Sequence, residues 1–255
     1  MNTLAINTIG DELEDSAEYC RANKIGLEVS SFAFPQNLEG DISTLVERHK
    51  RAVSDISPIL FHGPFMDLVA TSPDSAIVDI SKQRHQVALD AATEIGATIY
   101  IGHTNFTPMI RNPSYRETWI ARMLDFWLPF ADSAAKKGIT ICLENLWEPH
   151  PDIQAELISA GQHPNLRASF DNGHALVFSD VSSVRWVETL GANLGHCHLH
   201  DNAGELDEHK PIGDGKEDWQ SLLNSLSQFS PRAILVAESD GLNNNKVSIE
   251  KIKSF

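Results

Sequence analysis

Six short stretches of this 255-residue chain lead into a side chain that can bind a divalent metal ion. Each is an apolar run that stops at His, Asp or Glu, and an apolar run of this length predicts a buried strand. The stretches are FHGPF (His62), YIGHT (His103), CLENL (Glu144), SFDNGH (Asp171, His174), HCHLHD (His198, His200) and LVAES (Glu238). Gathering imidazoles and carboxylates on one buried rim costs desolvation and like-charge repulsion, which a bound cation offsets. The stretches therefore predict a metal site.

The elements that must position these side chains alternate regularly along the chain. The predicted strands cover 4–9, 26–32, 58–63, 98–103, 139–145, 167–172, 194–200 and 233–239. Amphipathic stretches that predict helices lie near 12–23, 41–55, 75–95, 114–137, 151–160, 181–190, 217–228 and 246–253. Eight β/α repeats in about 250 residues are typical of a closed (β/α)8 TIM barrel rather than an open sheet. No linker or low-complexity segment interrupts them, so we predict one domain over residues 1–255.

Side-chain parity predicts which residues face the barrel interior. Successive strand residues point to opposite faces, so Ile141 and Leu143 are expected to face the helices, while Cys142 and Glu144 face inward. In the predicted strands 3 to 8 the polar residue falls at the carboxyl end, where barrel enzymes build their active sites.

The last four strands supply a set of ligands rich in oxygen: Glu144, Asp171, His198 and Glu238. Three carboxylates and one imidazole suit Mn²⁺, Mg²⁺, Co²⁺ or Zn²⁺.

Five further residues have two or more interpretations. His62 and His103 could pack beneath a loop, bind metal or contact substrate. His174 could face the rim or form a hydrogen bond at a helix N-terminus. Asp207 and His209, two residues apart in GELDEHKPIGDG, could chelate an ion, bind substrate or belong to a solvated charged loop.

Two residues beside the ligands are candidates for substrate contact. Trp147, in ENLW, could form a wall of a substrate pocket. His200 shares the parity of His198 and could contact a ligand or support one from behind, while His196 is expected to lie deeper.

Composition excludes several classes of protein. The net charge of −15 disfavours binding to a nucleic-acid backbone, although bound cations could reverse the sign locally. Three cysteines without CxxC spacing predict neither a disulfide framework nor a thiolate zinc site. Without a signal peptide or membrane-spanning run, we expect a soluble, cytoplasmic protein. Phosphate-binding loops, dinucleotide fingerprints and serine-hydrolase elbows are absent from the sequence.

Several motifs together resemble the xylose isomerase-like TIM barrels, a superfamily of sugar isomerases, epimerases and endonuclease IV. The motifs are HGPF (62–65), LEN (143–145), FDNGHA (170–175), HLHDN (198–202), DEHKPIGDG (207–215) and AES (237–239). Resemblance to the epimerases implies one ion bound by Glu144, Asp171, His198 and Glu238, with Glu144 and Glu238 also the acid/base pair. It implies a small carbohydrate substrate, bound partly by Phe65, and allows a homo-oligomer.

Resemblance to endonuclease IV implies more metal. Three zinc ions would be held by His62, His103 and Glu144; by Glu144, Asp171, His198 and Glu238; and by His174, Asp207 and His209. The loop SSFAFPQN, where that family places residues that penetrate DNA, contains no arginine, and Phe65 and Met66 follow His62 as in many sugar enzymes.

Formal charge separates the two functions. One divalent ion among three carboxylates leaves a single negative charge, which suits a neutral polyol or ketose and proton abstraction. Three ions among four carboxylates leave two positive charges, which suit a phosphodiester. We therefore expect a metal-dependent sugar or polyol isomerase or epimerase that acts through an enediolate. The alternatives are a trinuclear zinc phosphodiesterase acting at abasic sites and a non-catalytic binding barrel.

Overall fold

The computed structural model describes residues 2–255, and in this range eight parallel strands form a closed barrel. Each strand pairs with the next along the chain, and β8 pairs with β1. The strands are β1 Thr3–Thr8, β2 Gly26–Val29, β3 Ile59–His62, β4 Ile99–His103, β5 Thr140–Glu144, β6 Leu166–Asp171, β7 Leu194–Leu199 and β8 Ile234–Ala237. The predicted (β/α)8 barrel is confirmed.

Nine α-helices lie in the part of the chain that is described. They are α1 Leu13–Asn23, α2 Ser43–Val53, α3 Ser75–Ile95, α4 Tyr115–Lys136, α5 Asp152–Gly161, α6 Asn172–Phe178, α7 Ser183–Leu190, α8 Trp219–Phe229 and α9 Leu242–Ser254. Among residues 2–255, none of these helices combines the length and the apolar character needed to span a bilayer.

Two elements differ from the sequence prediction. The predicted strand 26–32 ends at Val29, because the chain turns into a 3-10 helix over Ser31–Ala33. Phe32 in this turn is fully buried, so its apolar character resembled a continuation of the strand. Helix α6 was not predicted as a separate element, since its seven residues begin inside the ligand motif FDNGH.

Two apolar layers form the core. A small inner cluster includes Ala5, Leu60, Cys142 and Val236, contributed by different strands. Ile141 and Leu143 belong instead to the large layer between barrel and helices, as parity predicts.

Candidate metal centre

The carboxyl ends of β3 to β8 converge on a cavity of about 500 Å³. Seven of the predicted ligand residues line it: His62, His103, Glu144, His174, Asp207, His209 and Glu238. Asp171 and His198 lie immediately behind this wall and are fully buried. One rim of the barrel thus collects side chains from six strands and two following segments.

The ring of His198 lies at the centre of the four residues predicted to share one ion. Its Nδ1 atom is 2.9 Å from Glu144 Oε2, 3.2 Å from Glu238 Oε2 and 3.8 Å from Asp171 Oδ2. Atoms of Asp171, His198 and Glu238 also converge closely enough to hold one ion. The structure therefore brings this predicted set together.

Several buried atoms in this set have no hydrogen-bond partner, which tests whether the site fits a metal ion. Glu144 Oε2 and His198 Nδ1 are 2.9 Å apart, yet neither has a partner, and both ring nitrogens of His103 also lack one. Buried polar atoms normally find a partner. Two ligands of one divalent ion, each bound at roughly 2.1 Å, lie about 3 Å apart. The donor set fits a divalent cation.

His62 and His103 face the cavity rather than packing only in the core. The Nδ1–H group of His62 donates to Gly63 O (2.8 Å), which leaves Nε2 facing Glu144 Oε2 at 4.0 Å. His103 Nε2 lies 3.7 Å from Glu144 Oε1. Burial lowers the pKa of His103 to about 3 despite the nearby Glu144 charge, so its ring is neutral and able to bind metal. Phe65 stacks on His103 with ring centroids 4.7 Å apart.

His174, Asp207 and His209 form a second cluster beside the first. Asp207 Oδ2 lies 3.4 Å from His174 Nε2 and accepts from His209 Nε2 (3.2 Å). The other nitrogen of each ring also has a partner, because His174 Nδ1 is bonded to Asn145 O (2.9 Å) and His209 Nδ1 to Glu238 O (2.8 Å). Asp207 and His209 are therefore not a solvated loop, and their hydrogen bonds form without an ion.

His200 is placed behind the cavity wall rather than on it. Its side chain is fully buried, stacks on His209 at 3.9 Å and lies 3.2 Å from Asp171. A Cβ atom on Gly173 would clash with the His200 ring, so this close approach requires glycine. His209 itself has φ +48°, a left-handed conformation that is uncommon outside glycine. Of the residues predicted to contact substrate, Phe65 and Trp147 line the cavity.

Comparison with known proteins places the chain in a family. The model of the xylose isomerase-like TIM barrel matches residues 6–255. The chain belongs to the xylose isomerase-like TIM barrels. Among solved xylose isomerase-like barrels, the TTHB071 protein from Thermus thermophilus, soaked with ZnCl2, is 24% identical, with a TM-score of 0.81 over 98% of this chain and 96% of that one.

Two other relatives are similar over most of the chain. The D-allulose 3-epimerase from Methylomonas sp. in complex with D-allulose is 17% identical, with a TM-score of 0.78 over 99% of this chain and 96% of that one. The uncharacterized protein MJ1311 of Methanocaldococcus jannaschii is 24% identical over 206 residues, which cover 77% of this chain and 69% of the relative. At these identities the solved structures show a shared fold.

The two glutamates of this xylose isomerase-like barrel that line the cavity differ in protonation. Burial opposes ionisation of Glu144, but the charges of His198 and His103 outweigh it and lower the pKa of Glu144 to about 2. Burial raises the pKa of Glu238 to about 8 against the opposing effect of His198. At neutral pH and without an ion, Glu144 is therefore ionised and Glu238 holds a proton, a separation typical of acid/base pairs.

Two residues behind the ligands of this barrel were missed in the sequence. Glu28 on β2 accepts hydrogen bonds from His198 Nε2 (2.7 Å) and His196 Nε2 (2.9 Å). Asn7 on β1 donates to Glu28 (3.1 Å) and to Glu238 (3.0 Å). An acid inside the apolar run GLEV was the available signal, because a buried carboxylate requires polar partners.

Proposed function

We propose that this protein is a divalent-metal-dependent isomerase or epimerase of small, uncharged carbohydrates. The observation that carries the proposal is the pair Glu144 and Glu238, two cavity-lining carboxylates on either side of the unpartnered Nδ1 atom of His198. Similarity to a D-allulose 3-epimerase supports the substrate class.

The ion would be held by Glu144, Asp171, His198 and Glu238. When bound, a divalent ion supplies a Lewis acid, which makes a proton next to a substrate carbonyl more acidic. Because Asp171 and His198 are fully buried, these two ligands would hold the ion from below and leave its cavity side open to substrate.

The two glutamates would move the proton. The ionised Glu144 takes it from the carbon next to the carbonyl, and the electron pair of the broken C–H bond forms an enediolate. Glu238 then donates its proton. Delivery to the opposite face of the same carbon gives an epimer, and delivery to the neighbouring carbon gives an isomer. No oxidant or reductant is needed, and each glutamate ends in the protonation state in which the other began.

The wall of the cavity indicates an uncharged substrate. Among residues 2–255, no Lys or Arg side chain lines it, whereas Asp67, Glu144, Asp207 and Glu238 do. Lys210, in the loop after β7, is paired with Glu208 at 2.7 Å. A phosphate group would meet carboxylates with no cation from the protein to offset them. The remaining wall is apolar and suits the C–H face of a sugar: Phe65, Met66, Leu68, Val69, Leu146 and Trp147.

A trinuclear zinc phosphodiesterase is the second candidate. It is favoured by the closeness of His174, Asp207 and His209, which are the types expected for a third ion. It ranks lower because both ring nitrogens of His174 and His209 already have partners within the protein.

Proton exchange tests the proposal directly. Metal-loaded protein is incubated in D2O with a panel of unphosphorylated ketoses and aldoses, and NMR follows C–H replacement and product formation. We expect exchange with at least one sugar. Glu144→Gln and Glu238→Gln should each lower the rate by about 10²-fold or more, because each removes a proton-transfer group.

The control is Glu205→Gln, on an exposed part of the loop after β7, which should keep the wild-type rate. If either cavity variant retains most of the activity, the assignment of the acid/base pair is wrong. Cleavage of abasic-site DNA without any sugar exchange would establish the second candidate instead.

A further inference from the structure

A fully buried group of three side chains lies beneath the metal-binding rim: Glu28 on β2 with His196 and His198 on β7. The two Glu28 oxygens are divided between the two rings, Oε1 at 2.7 Å from His198 Nε2 and Oε2 at 2.9 Å from His196 Nε2. This contact joins opposite sides of the barrel interior, between residues 168 and 170 positions apart.

Hydrogen-bond accounting fixes where the protons lie. An ionised carboxylate only accepts hydrogen bonds, so both imidazoles carry a proton on Nε2. The Nδ1 atom of His196 is satisfied by Ser169 Oγ at 2.7 Å. The one nitrogen of the pair that lacks a partner is His198 Nδ1, which faces Glu144 and Glu238.

We propose that Glu28 is a positioning residue that holds His198 in the Nε2–H form and directs its Nδ1 lone pair at the ion. Metal-binding histidines commonly donate their second N–H group to a carboxylate in this way. His196, itself held by Ser169, occupies the other Glu28 oxygen and prevents rotation of the carboxylate. The inference rests on the proposed function in assuming a divalent ion at the rim.

Asn7 extends this support to the candidate acid/base pair. Its Nδ2 atom lies 3.1 Å from Glu28 Oε1 and 3.0 Å from Glu238 Oε1. The bond to Oε1 orients Glu238 so that Oε2 faces His198 Nδ1. Glu28 and Asn7 therefore act on two of the proposed ligands from below.

The three side chains could instead hold a second ion, because their ligand atoms converge. His198 would then have to bind metal through both nitrogens, which requires loss of both ring protons. The Glu28 contacts have normal hydrogen-bond lengths, and no atom of Glu28 or His196 lacks a partner in the described chain. Support of one ion is therefore the better interpretation.

The test is Glu28→Gln, which keeps the shape of the side chain but turns an N–H2 group towards one of the two Nε2–H groups. We expect the dissociation constant for Mn²⁺, measured by calorimetry, to rise about 10- to 100-fold, and the absorption spectrum of the Co²⁺-loaded protein to change. The matched control is Glu148→Gln, another buried glutamate, which bonds Thr104 and Leu146 N instead. It should bind Mn²⁺ like the wild type.

Should Glu28→Gln fail to fold, ¹⁵N NMR of the Zn²⁺-loaded wild type decides the question. We expect a proton on His198 Nε2 and metal on Nδ1. A proton on Nδ1, unchanged Mn²⁺ affinity in a folded Glu28→Gln protein, or two ions lost together would overturn the inference. These outcomes are independent of sugar turnover, so weakened metal binding in a protein without epimerase activity would reject the proposed function alone.

Discussion

His198 has a carboxylate on each side of its ring, Glu28 at Nε2 and Glu144 at Nδ1. These neighbours, together with Glu238, raise the pKa of His198 well above its ordinary value, although burial acts in the opposite direction. Without metal the ring is thus a buried cation among carboxylates. A divalent ion would replace the Nδ1 proton, and ion binding should therefore release protons and strengthen as pH rises.

The histidine in the helix layer predicts a pH dependence of stability. Burial lowers the pKa of His85 to about 3, and the ring packs against Trp127 and bonds Tyr100 OH at 2.8 Å. In the unfolded chain its pKa is about 6.5, so the unfolded state binds more protons between these values. The contribution is complete above pH 6.5 and is lost as pH falls to about 3.

We expect the free energy of unfolding of wild type to fall, relative to His85→Gln, by about 1.4 kcal/mol per pH unit near pH 5. Urea denaturation of both proteins between pH 7 and pH 4 measures the difference. Parallel profiles would show that His85 is protonated equally in the folded and unfolded states.

The segment between β7 and α8, residues 200–218, is the element that carries Asp207 and His209. Asp201 holds it in place: its Oδ2 atom accepts from Trp219 Nε1 (2.8 Å) and Gly213 N (2.9 Å), and Oδ1 from Asn202 N (3.0 Å). A single buried carboxylate thus ties the start, middle and end of the segment together.

Asp201→Ala should loosen this segment, because it leaves buried donors without an acceptor. We expect faster proteolytic cleavage within 203–217 and a loss of about 2–4 kcal/mol in the free energy of unfolding. Asp214→Ala, at an exposed position of the same segment, is the control and should match the wild type. Equal cleavage rates in the two variants would contradict a holding role for Asp201.

Element order was predictable because each strand is an apolar run whose last residue is polar. Local patterns of this kind placed Glu144, Asp171 and Glu238 on one rim. The partnership of Glu28 with His198 was not predictable, since it depends on strand tilt and on residues far apart in the chain. The position of His200 also depends on distant features, namely the left-handed backbone of His209 and the absent side chain of Gly173.

At the scale of the whole molecule, the net charge of −15 and a cavity without basic residues point to the same substrates. Both repel phosphate groups. The family contains barrels that differ in substrate while sharing the fold, so selectivity has to come from the loops around the rim.

We expect kcat/KM for an unphosphorylated ketose to exceed that for its phosphate ester by about tenfold or more, equivalent to about 1.4 kcal/mol. Thr107→Lys, which introduces a cation at the cavity wall, should narrow this ratio, whereas Thr107→Gln should not. A wild-type preference for the phosphate ester would contradict the charge argument while leaving the proton-transfer chemistry intact.

The number of ions bound per chain tests the central claim most directly. Protein stripped with a chelator is reloaded with Mn²⁺ or Zn²⁺, separated from free metal and subjected to elemental analysis. We predict one tightly bound ion per chain, lost in a folded variant with Asp171→Asn and His198→Gln. Three tightly bound zinc ions, or none, would contradict a single divalent ion held by Glu144, Asp171, His198 and Glu238.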